Sequence, residues 1–442
     1  VLFRSIDDDA THNNKPPAEK TAPKRKPLPP HLPRTDNIIN PDPICPSCGG
    51  DEFRKIADDI SETLDYVPAS FRVIRNIRPR CACKNCEQIV QAYAPDNPIA
   101  KGYATASLLS YILVQKYCNH LPFYRQSEIY AREDIMLPRS TMASWAGKCS
   151  KLLDLIVSEI KESIFNSDHI HGDDTVIKVL APGSGKTKTG RIWVYVRDGR
   201  SYGDKTSPAV CYFYSPDRKG ERPALHLKDY KGVFHADAYS GYDKIYSDKS
   251  NNAVKITEAG CWAHTRRKFY EITVANGKAN IAIEILSRIS KIYKIEDEIR
   301  GDPPDKRLSR RQASSKLLLS DLFKRMQDLQ KKLPQKSNTS KAINYAMNNK
   351  IALSRFLDDG KIEIDNNIAE RAMRSIAIGR KNYLFAGSDK GGETAANIYT
   401  IIETCKLNNI NPQKYLHKVL EVIQGYNSQK IEELLPWNLN LD

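Results

Sequence analysis

Apolar positions recur at helical spacing through residues 103–165, where Leu109, Leu113 and Tyr117 fall on one face. Within this block Phe123–Ala131 and Ser140–Trp145 flank a break at Leu137-Pro138, and Ser140 is the expected cap of the second helix. The pair suits a helix-turn-helix or a plain helical hairpin. From residue 169 to 262 the pattern changes. Val176–Leu180, Ile192–Val196, Val210–Tyr214, Val233–His235 and Val254–Cys261 are short β-branched or aromatic runs bounded by Gly, Pro and Asp, which predicts a strand-rich, mixed α/β domain. Residues 266–356 return to helical, charged sequence. There Leu319, Leu322, Met326, Leu329 and Leu333 alternate spacings of three and four, a seam that serves either self-association or packing on the same chain. Residues 365–442 are again mainly helical. Residues 1–41 show no periodicity; the Pro- and Lys-rich stretch to Pro30, with its basic patch Lys24-Arg25-Lys26, is expected to be an extended or disordered linker.

Composition narrows the class. The 442 residues are 40% hydrophobic and 27% charged, enough for two to four globular domains. The formal net charge of +15 favours a polyanionic partner, nucleic acid before an acidic membrane surface. No apolar run reaches the roughly 18 residues of a membrane span. Val1–Ser5 is followed by Asp7, Asp8 and Asp9 instead of an apolar signal core, and the chain begins with Val, so a fragment is expected. Of the 10 cysteines, half fall within Cys45–Cys86, which fits one metal cluster in a reducing compartment better than a disulfide framework.

That cluster holds two Cys-x-x-Cys knuckles, Cys45-Pro-Ser-Cys48 and Cys83-Lys-Asn-Cys86. Each can present two thiolates to one tetrahedral Zn2+, and four thiolates close the site, making it structural. Strand-like Phe71–Ile77 is expected to form a hairpin between them, and Cys81 is a spare. A second motif, Gly183-Ser-Gly185-Lys186-Thr187, resembles the end of a phosphate-binding loop. The full motif requires glycine where Leu180 stands, and the segment joins two predicted strands instead of opening a helix. It reads as a glycine-rich hairpin whose Lys186, Lys188 and Arg191 are candidates for DNA phosphate contact.

Three acidic positions have the makings of phosphodiester chemistry. Asp173 lies in His171-Gly-Asp-Asp-Thr175 at the expected start of the first strand. Asp237 ends the run Gly232-Val-Phe-His-Ala-Asp237. Glu370 sits on a predicted helix, Asn366–Ile376, beside Arg371 and Arg374, with Asp365 as its expected cap. Phosphodiester cleavage needs an activated water and compensation of charge on phosphorus, which two divalent ions held by carboxylates supply. Hard oxygen ligands suit Mg2+ or Mn2+. Cations beside the glutamate would hold the DNA backbone. Spacing alone leaves Asp174, Glu363 and Asp365 as competing choices.

From about Cys45 to the C-terminus the chain closely resembles the IS66 family of bacterial insertion-sequence transposases. The resemblance is carried by the two cysteine knuckles with Arg78-Pro-Arg80, by His171-Gly-Asp-Asp-Thr175 and the run from Gly185 to Asp198, and by Asp237-Ala-Tyr-Ser-Gly-Tyr242. It continues through Cys261-Trp-Ala-His264 with Arg266-Arg267-Lys268-Phe269, Asp365-Asn-Asn-Ile-Ala-Glu-Arg371, and the run from Gly379 to Ser388. It implies an α/β catalytic core, an RNase H-like mixed sheet with a helical insertion, and a triad of Asp173, Asp237 and Glu370 chosen over their acidic neighbours. Asp174 stands where the family commonly has Glu, and the family's N-terminal DNA-binding or self-association segment is expected to be cut short.

The implied organisation is a linker at 1–41, a zinc module at 42–90 and a helical DNA-binding segment at 91–166. A catalytic domain at 167–400 with an insertion at 266–356 and a C-terminal helical segment at 401–442 complete it. His264 is expected either to orient a phosphate or carboxylate, or to pack at a strand end. Arg266, Arg267, Arg380 and Lys381 are expected on the DNA backbone. The implied activity is metal-dependent hydrolysis at transposon ends followed by strand transfer of the 3′-OH into target DNA. It would be carried out by a homo-oligomer on double-stranded DNA, with accessory proteins from the same element, in the bacterial cytoplasm at the nucleoid and away from membranes. A catalytically silent DNA-binding remnant and a nuclease for RNA–DNA hybrids are the rival readings.

Overall fold

The protein is described here by a computed structural model. It describes residues 51, 70–82, 84, 89–92, 97–100, 102–181, 183–246, 256–277 and 279–441. The chain divides into two units, Val1–Ala94 and Pro95–Asp442.

In the first unit, β1 (Arg80–Ala82) pairs antiparallel with β2 (Ile89–Gln91). Arg78 and Gln91 reinforce the pair, each side chain bonding a carbonyl across the hairpin, to Ala92 at 3.0 Å and to Arg78 at 2.9 Å. The expected hairpin at Phe71–Ile77 is not formed: these residues are exposed and irregular, and the strand begins three residues later. Cys45, Cys48, Cys83 and Cys86 lie outside the described residues; Cys81 is exposed on β1.

The second unit opens with α1 (Ala106–Tyr117), α2 (Phe123–Ala131), α3 (Arg139–Leu152) and α4 (Asp154–Phe165). Leu109, Leu113 and Tyr117 are buried along α1, as their spacing predicts, and the Thr105 hydroxyl caps its first turn. Ser140 does not cap α3. Pro138 holds that position, its fixed φ already suited to the end of an extended segment, and Ser140 lies inside the helix.

A five-stranded sheet follows. It is built from β3 (His169–Ala181), β4 (Lys186–Arg197), β5 (Ala209–Ser215), β6 (Gly232–His235) and β7 (Ile256–Ala259), in the spatial order β5-β4-β3-β6-β7. The first three strands are antiparallel; β6 and β7 join parallel. Ile192–Val196 of β4 are buried without alternation, as a strand covered on both faces requires. The β3–β4 turn carries Gly183 and Gly185 at φ 80° and 62°, so the glycine-rich segment is a hairpin. Short helices α5 (Glu221–His226) and α6 (Asp243–Tyr246) fill the crossovers.

Between β7 and the last helices the chain forms α7 (Trp262–Ala275), α8 (Asn280–Glu298), α9 (Pro304–Arg310), α10 (Lys316–Gln330), α11 (Asn338–Asn348) and α12 (Lys350–Ser354). They enclose a core of their own, in which Leu319, Leu322, Met326 and Leu329 meet Ile285, Ile289 and Ile343. The leucine seam therefore packs on its own chain. Arg311 is buried in a π-helical turn, paired with Glu296 at 2.6 Å and donating to the carbonyls of Phe356 and Asp359. Arg307 reaches Glu363 at 2.7 Å, tying the insertion to the segment that leads back to the sheet.

That segment enters α13 (Asn367–Asn382), which lies against β3 and β4, followed by α14 (Asp389–Leu407) and α15 (Pro412–Val422). β5 is an edge strand, and α14 closes it: Thr400 and Thr404 hydroxyls accept from the amides of Tyr212 and Val210, at 3.0 and 3.3 Å. Two buried threonines thus satisfy an edge that would otherwise invite another strand.

Candidate active site

The site is built where β3, β6 and α13 meet. Side chains alternate along a strand, so His169, His171 and Asp173 share one face of β3, and Gly172 and Asp174 the other. The register pairs His171 with His235, and their rings stack at 4.9 Å. Two residues further along each strand stand Asp173 and Asp237. Asp173 is thus interior to β3 and not at its start, and Asp237 lies just beyond the last paired residue of β6. Gly172 is required: a Cβ there would come within 2.3 Å of the Phe234 ring.

The third carboxylate arrives through Asn366, which is completely buried. Its side-chain amide donates to the Gly172 carbonyl at 2.8 Å, and its Oδ1 meets His171 Nδ1 at 3.0 Å. Its backbone amide donates to Cys261 Sγ at 3.2 Å. One asparagine therefore fastens the start of α13 to β3 and to the start of α7, and Glu370 follows in the first turn of α13. Asp365 is not the cap: Asn366 holds that position, and Asp365, one residue earlier, accepts from the Asn367 amide at 3.1 Å and from Tyr293 at 3.1 Å.

The electrostatics follow from this crowding. Burial pushes the Asp173 carboxyl up to about 8, and the Asp237 and Glu370 charges push the same way. Asp237 is also raised, by burial first, while His264 and Arg218 pull it back. Asp174 has the opposite surroundings. Arg191 and Arg218 hold its carboxylate at 2.9 and 2.8 Å, and only 1% of its side chain is exposed.

His264 is not at a strand end. It occupies the first turn of α7, with Nδ1 3.7 Å from Glu370 Oε1, and Arg267 lies 3.4 Å from Oε2. Burial lowers the His264 pKa, against the pull of Glu370 and Asp237. His264 Nδ1 and Glu370 Oε1 are both buried without a hydrogen-bond partner. With Cys261 Sγ they offer three ligand atoms within 4.8 Å of one another. Carboxyls raised by burial and buried polar atoms without partners therefore lie close together at this site.

The remaining predicted cations divide into two groups. Arg191 is engaged by Asp174, Lys188 by Asp389, and Arg380 by the Val176 carbonyl. Lys186, Arg371, Arg374 and Lys381 are exposed, and Arg266 is half-buried. Sequence reasoning missed Asn366 and Arg218. Asn366 sits among three residues able to cap, with no local mark of which one is buried. Arg218 lies in a loop whose partner, Asp174, is 44 positions away.

The chain also matches known protein families. A family described as "Transposase IS66 family" matches residues 101–394. A "zinc-finger binding domain of transposase IS66" matches residues 42–87, and an "IS66 C-terminal element" residues 400–437. Three uncharacterized Sinorhizobium fredii proteins align along nearly the whole chain. One, y4qI, is 40% identical across 95% of this chain and 79% of its own length. Another, y4hP, is 37% identical across 94% and 77%, and y4jD is 37% identical across 94% and 82%.

Proposed function

The chain belongs to the IS66 transposase family, and from that membership we propose that it cleaves and joins DNA at Asp173, Asp237 and Glu370. The single observation that carries this reading is that Asp173 inside β3 feels the charges of both Asp237, two residues past the end of β6, and Glu370, on the helix whose start Asn366 fastens to β3. The strand order, three antiparallel strands joined by two parallel ones, supports an RNase H-like core.

The three carboxylates would hold two Mg2+ or Mn2+ ions, and the orphaned Glu370 oxygen fits that role. Bound ions supply an activated water and offset charge on phosphorus. Water cleaves the phosphodiester at each transposon end, leaving a 3′-OH and a 5′-phosphate. The freed hydroxyl then attacks a target phosphodiester, forming a new 3′–O–P bond and expelling the target's 3′-OH. In both steps His264, 3.7 Å from one Glu370 oxygen, and Arg267, 3.4 Å from the other, would help to position that carboxylate.

Cys45, Cys48, Cys83 and Cys86 would hold one structural Zn2+, consistent with the zinc-finger match. We assign 42–90 to that module, 91–166 to DNA contact, 167–400 to catalysis around the helical insertion, and 401–442 to the closing helices. The partners would be transposon-end and target duplexes bound by an oligomer of this chain, with helper proteins of the same element, at the nucleoid in the cytoplasm. No helix among the described residues is long and apolar enough to cross a membrane.

A cleavage and strand-transfer assay on the element's own ends in Mg2+ tests the reading. The wild type should nick and join, whereas Asp237→Ala should bind the ends without cutting. Full cleavage by Asp237→Ala would overturn it.

A further inference from the structure

Helix α13 begins at the carboxylate site and runs away from it along β3 and β4. Its solvent-facing stripe is Arg371, Arg374, Ile378 and Lys381, spaced three, four and three. Among the described residues the three cations have no ion-pair partner, and the one acid of the helix is Glu370, a turn before Arg374. Just past the helix, Leu384 is 72% exposed and Phe385 44% exposed. These two are not on a loose loop. The next residue, Ala386, donates to the Lys178 carbonyl and accepts from the Leu180 amide, both at 2.8 Å, which adds the segment to β3 as a short parallel bridge. Leu180, across that bridge, is itself 39% exposed.

An apolar pair held rigidly in water beside a row of unpaired cations has a specific chemical complement. The cations require a polyanion, and the apolar pair requires a surface that is flat and uncharged. A nucleic acid whose bases are partly unstacked offers both. At 1.5 Å per residue, the eleven steps from Glu370 to Lys381 span about 16 Å, or about five base pairs at 3.4 Å each.

We propose that the exposed stripe of α13 and the Leu384–Phe385 step form a track for the duplex flanking the scissile phosphodiester. The apolar pair meets a base step about five to seven base pairs from the cut. The inference rests on the transposase reading and adds to it a second, non-catalytic contact that distorts the DNA. Arg371, Arg374 and Lys381 set position through phosphates, while Leu384 and Phe385 stabilise an opened step.

The test uses the full chain and a duplex of the element's terminal repeat carrying 2-aminopurine at single positions three to nine base pairs from the cut. Binding is followed on the zinc-loaded chain without added Mg2+ or Mn2+, so the readout does not depend on cleavage. The wild type should raise the fluorescence of probes near positions five to seven. Leu384→Ala combined with Phe385→Ala should abolish that signal, weaken binding about tenfold, and be rescued by a preformed mismatch at the same step. Both side chains are exposed, so the melting temperature should stay unchanged. Replacing Arg371, Arg374 and Lys381 by Gln should lower the slope of log K against log salt by about 2.7.

Fluorescence and salt slope that ignore these substitutions would overturn the inference. So would a shift from dimer to monomer in the apolar variant with an unchanged fluorescence signal, which would assign the face to a second copy of the chain. Failure of the wild type to cleave in Mg2+ would count against the catalytic reading alone, because the fluorescence arm reads binding by itself.

Discussion

The two faces of β3 carry neighbouring carboxylates into opposite circumstances. Asp174 turns toward Arg191 and Arg218, which neutralise it within the fold. Asp173, one residue earlier, feels the charges of Asp237 and Glu370, which add to the burial that raises its carboxyl. The first face is paired by two guanidiniums at hydrogen-bond distance; on the second, His264 and Arg267 approach Glu370 only to 3.7 and 3.4 Å. The comparison separates a carboxylate that builds structure from one that we propose binds a cation. The distinction follows from two-residue alternation, since neighbouring residues on a strand cannot share an environment.

The largest expected effect lies on the second face. Asp173→Ala, Asp237→Ala and Glu370→Gln should each reduce end cleavage in Mg2+ by about a thousandfold or more, while the melting temperature without metal holds or rises. A variant retaining a tenth of wild-type cleavage would break the comparison. On the first face, Asp174→Ala should act on stability. It strands two guanidiniums, at a cost of about 2–4 kcal/mol, tempered because both reach solvent. Urea denaturation measures this, and a loss below about 0.5 kcal/mol would show that the pairing is dispensable.

Asn366→Ala should fall between the two in kind. It leaves the buried Gly172 carbonyl and His171 Nδ1 without partners, which costs about 1–3 kcal/mol. It also frees the start of α13, so cleavage should fall by about tenfold or more and recover in part at high Mn2+. Unchanged metal dependence would reduce Asn366 to a packing role.

A further effect is on pH. Without divalent ions, native Asp173 keeps its proton up to about 8, whereas the unfolded chain releases it near 4. The native state binds more protons across that window, so stability should fall as pH rises from about 4 to about 8. Asp173→Asn should flatten this trend and raise the melting temperature at pH 8 by a few degrees. Identical pH profiles for the two proteins would contradict the raised pKa.

Much of the fold was legible because it rests on local periodicity. Phe123–Ala131 is a helix at its expected bounds, and the apolar centres of all five strands in the second unit stand where their β-branched runs predict. What escaped was polar. The first half of β3, His169–Asp174, has no apolar run, because one of its faces carries the histidines and Asp173. The strand was therefore expected to begin too late, and Asp173 looked terminal instead of interior. The leucine seam of α10 could be read but not assigned, since a helix face does not say which partner covers it. Its cover is Ile285, Ile289 and Ile343 of the same chain. The Asn366 clamp was invisible for a different reason. Its partners lie 105, 194 and 195 positions away, and contacts at that range leave no periodic trace.

The account stands most directly on the convergence of Asp173, Asp237 and Glu370. Isothermal titration of Mn2+ into the full chain at pH 8, after zinc loading, measures it without DNA or turnover. The account predicts carboxylate-dependent uptake with release of protons, lost in Asp173→Asn and Asp237→Asn and weakened in Glu370→Gln. Binding that survives all three substitutions unchanged would contradict it.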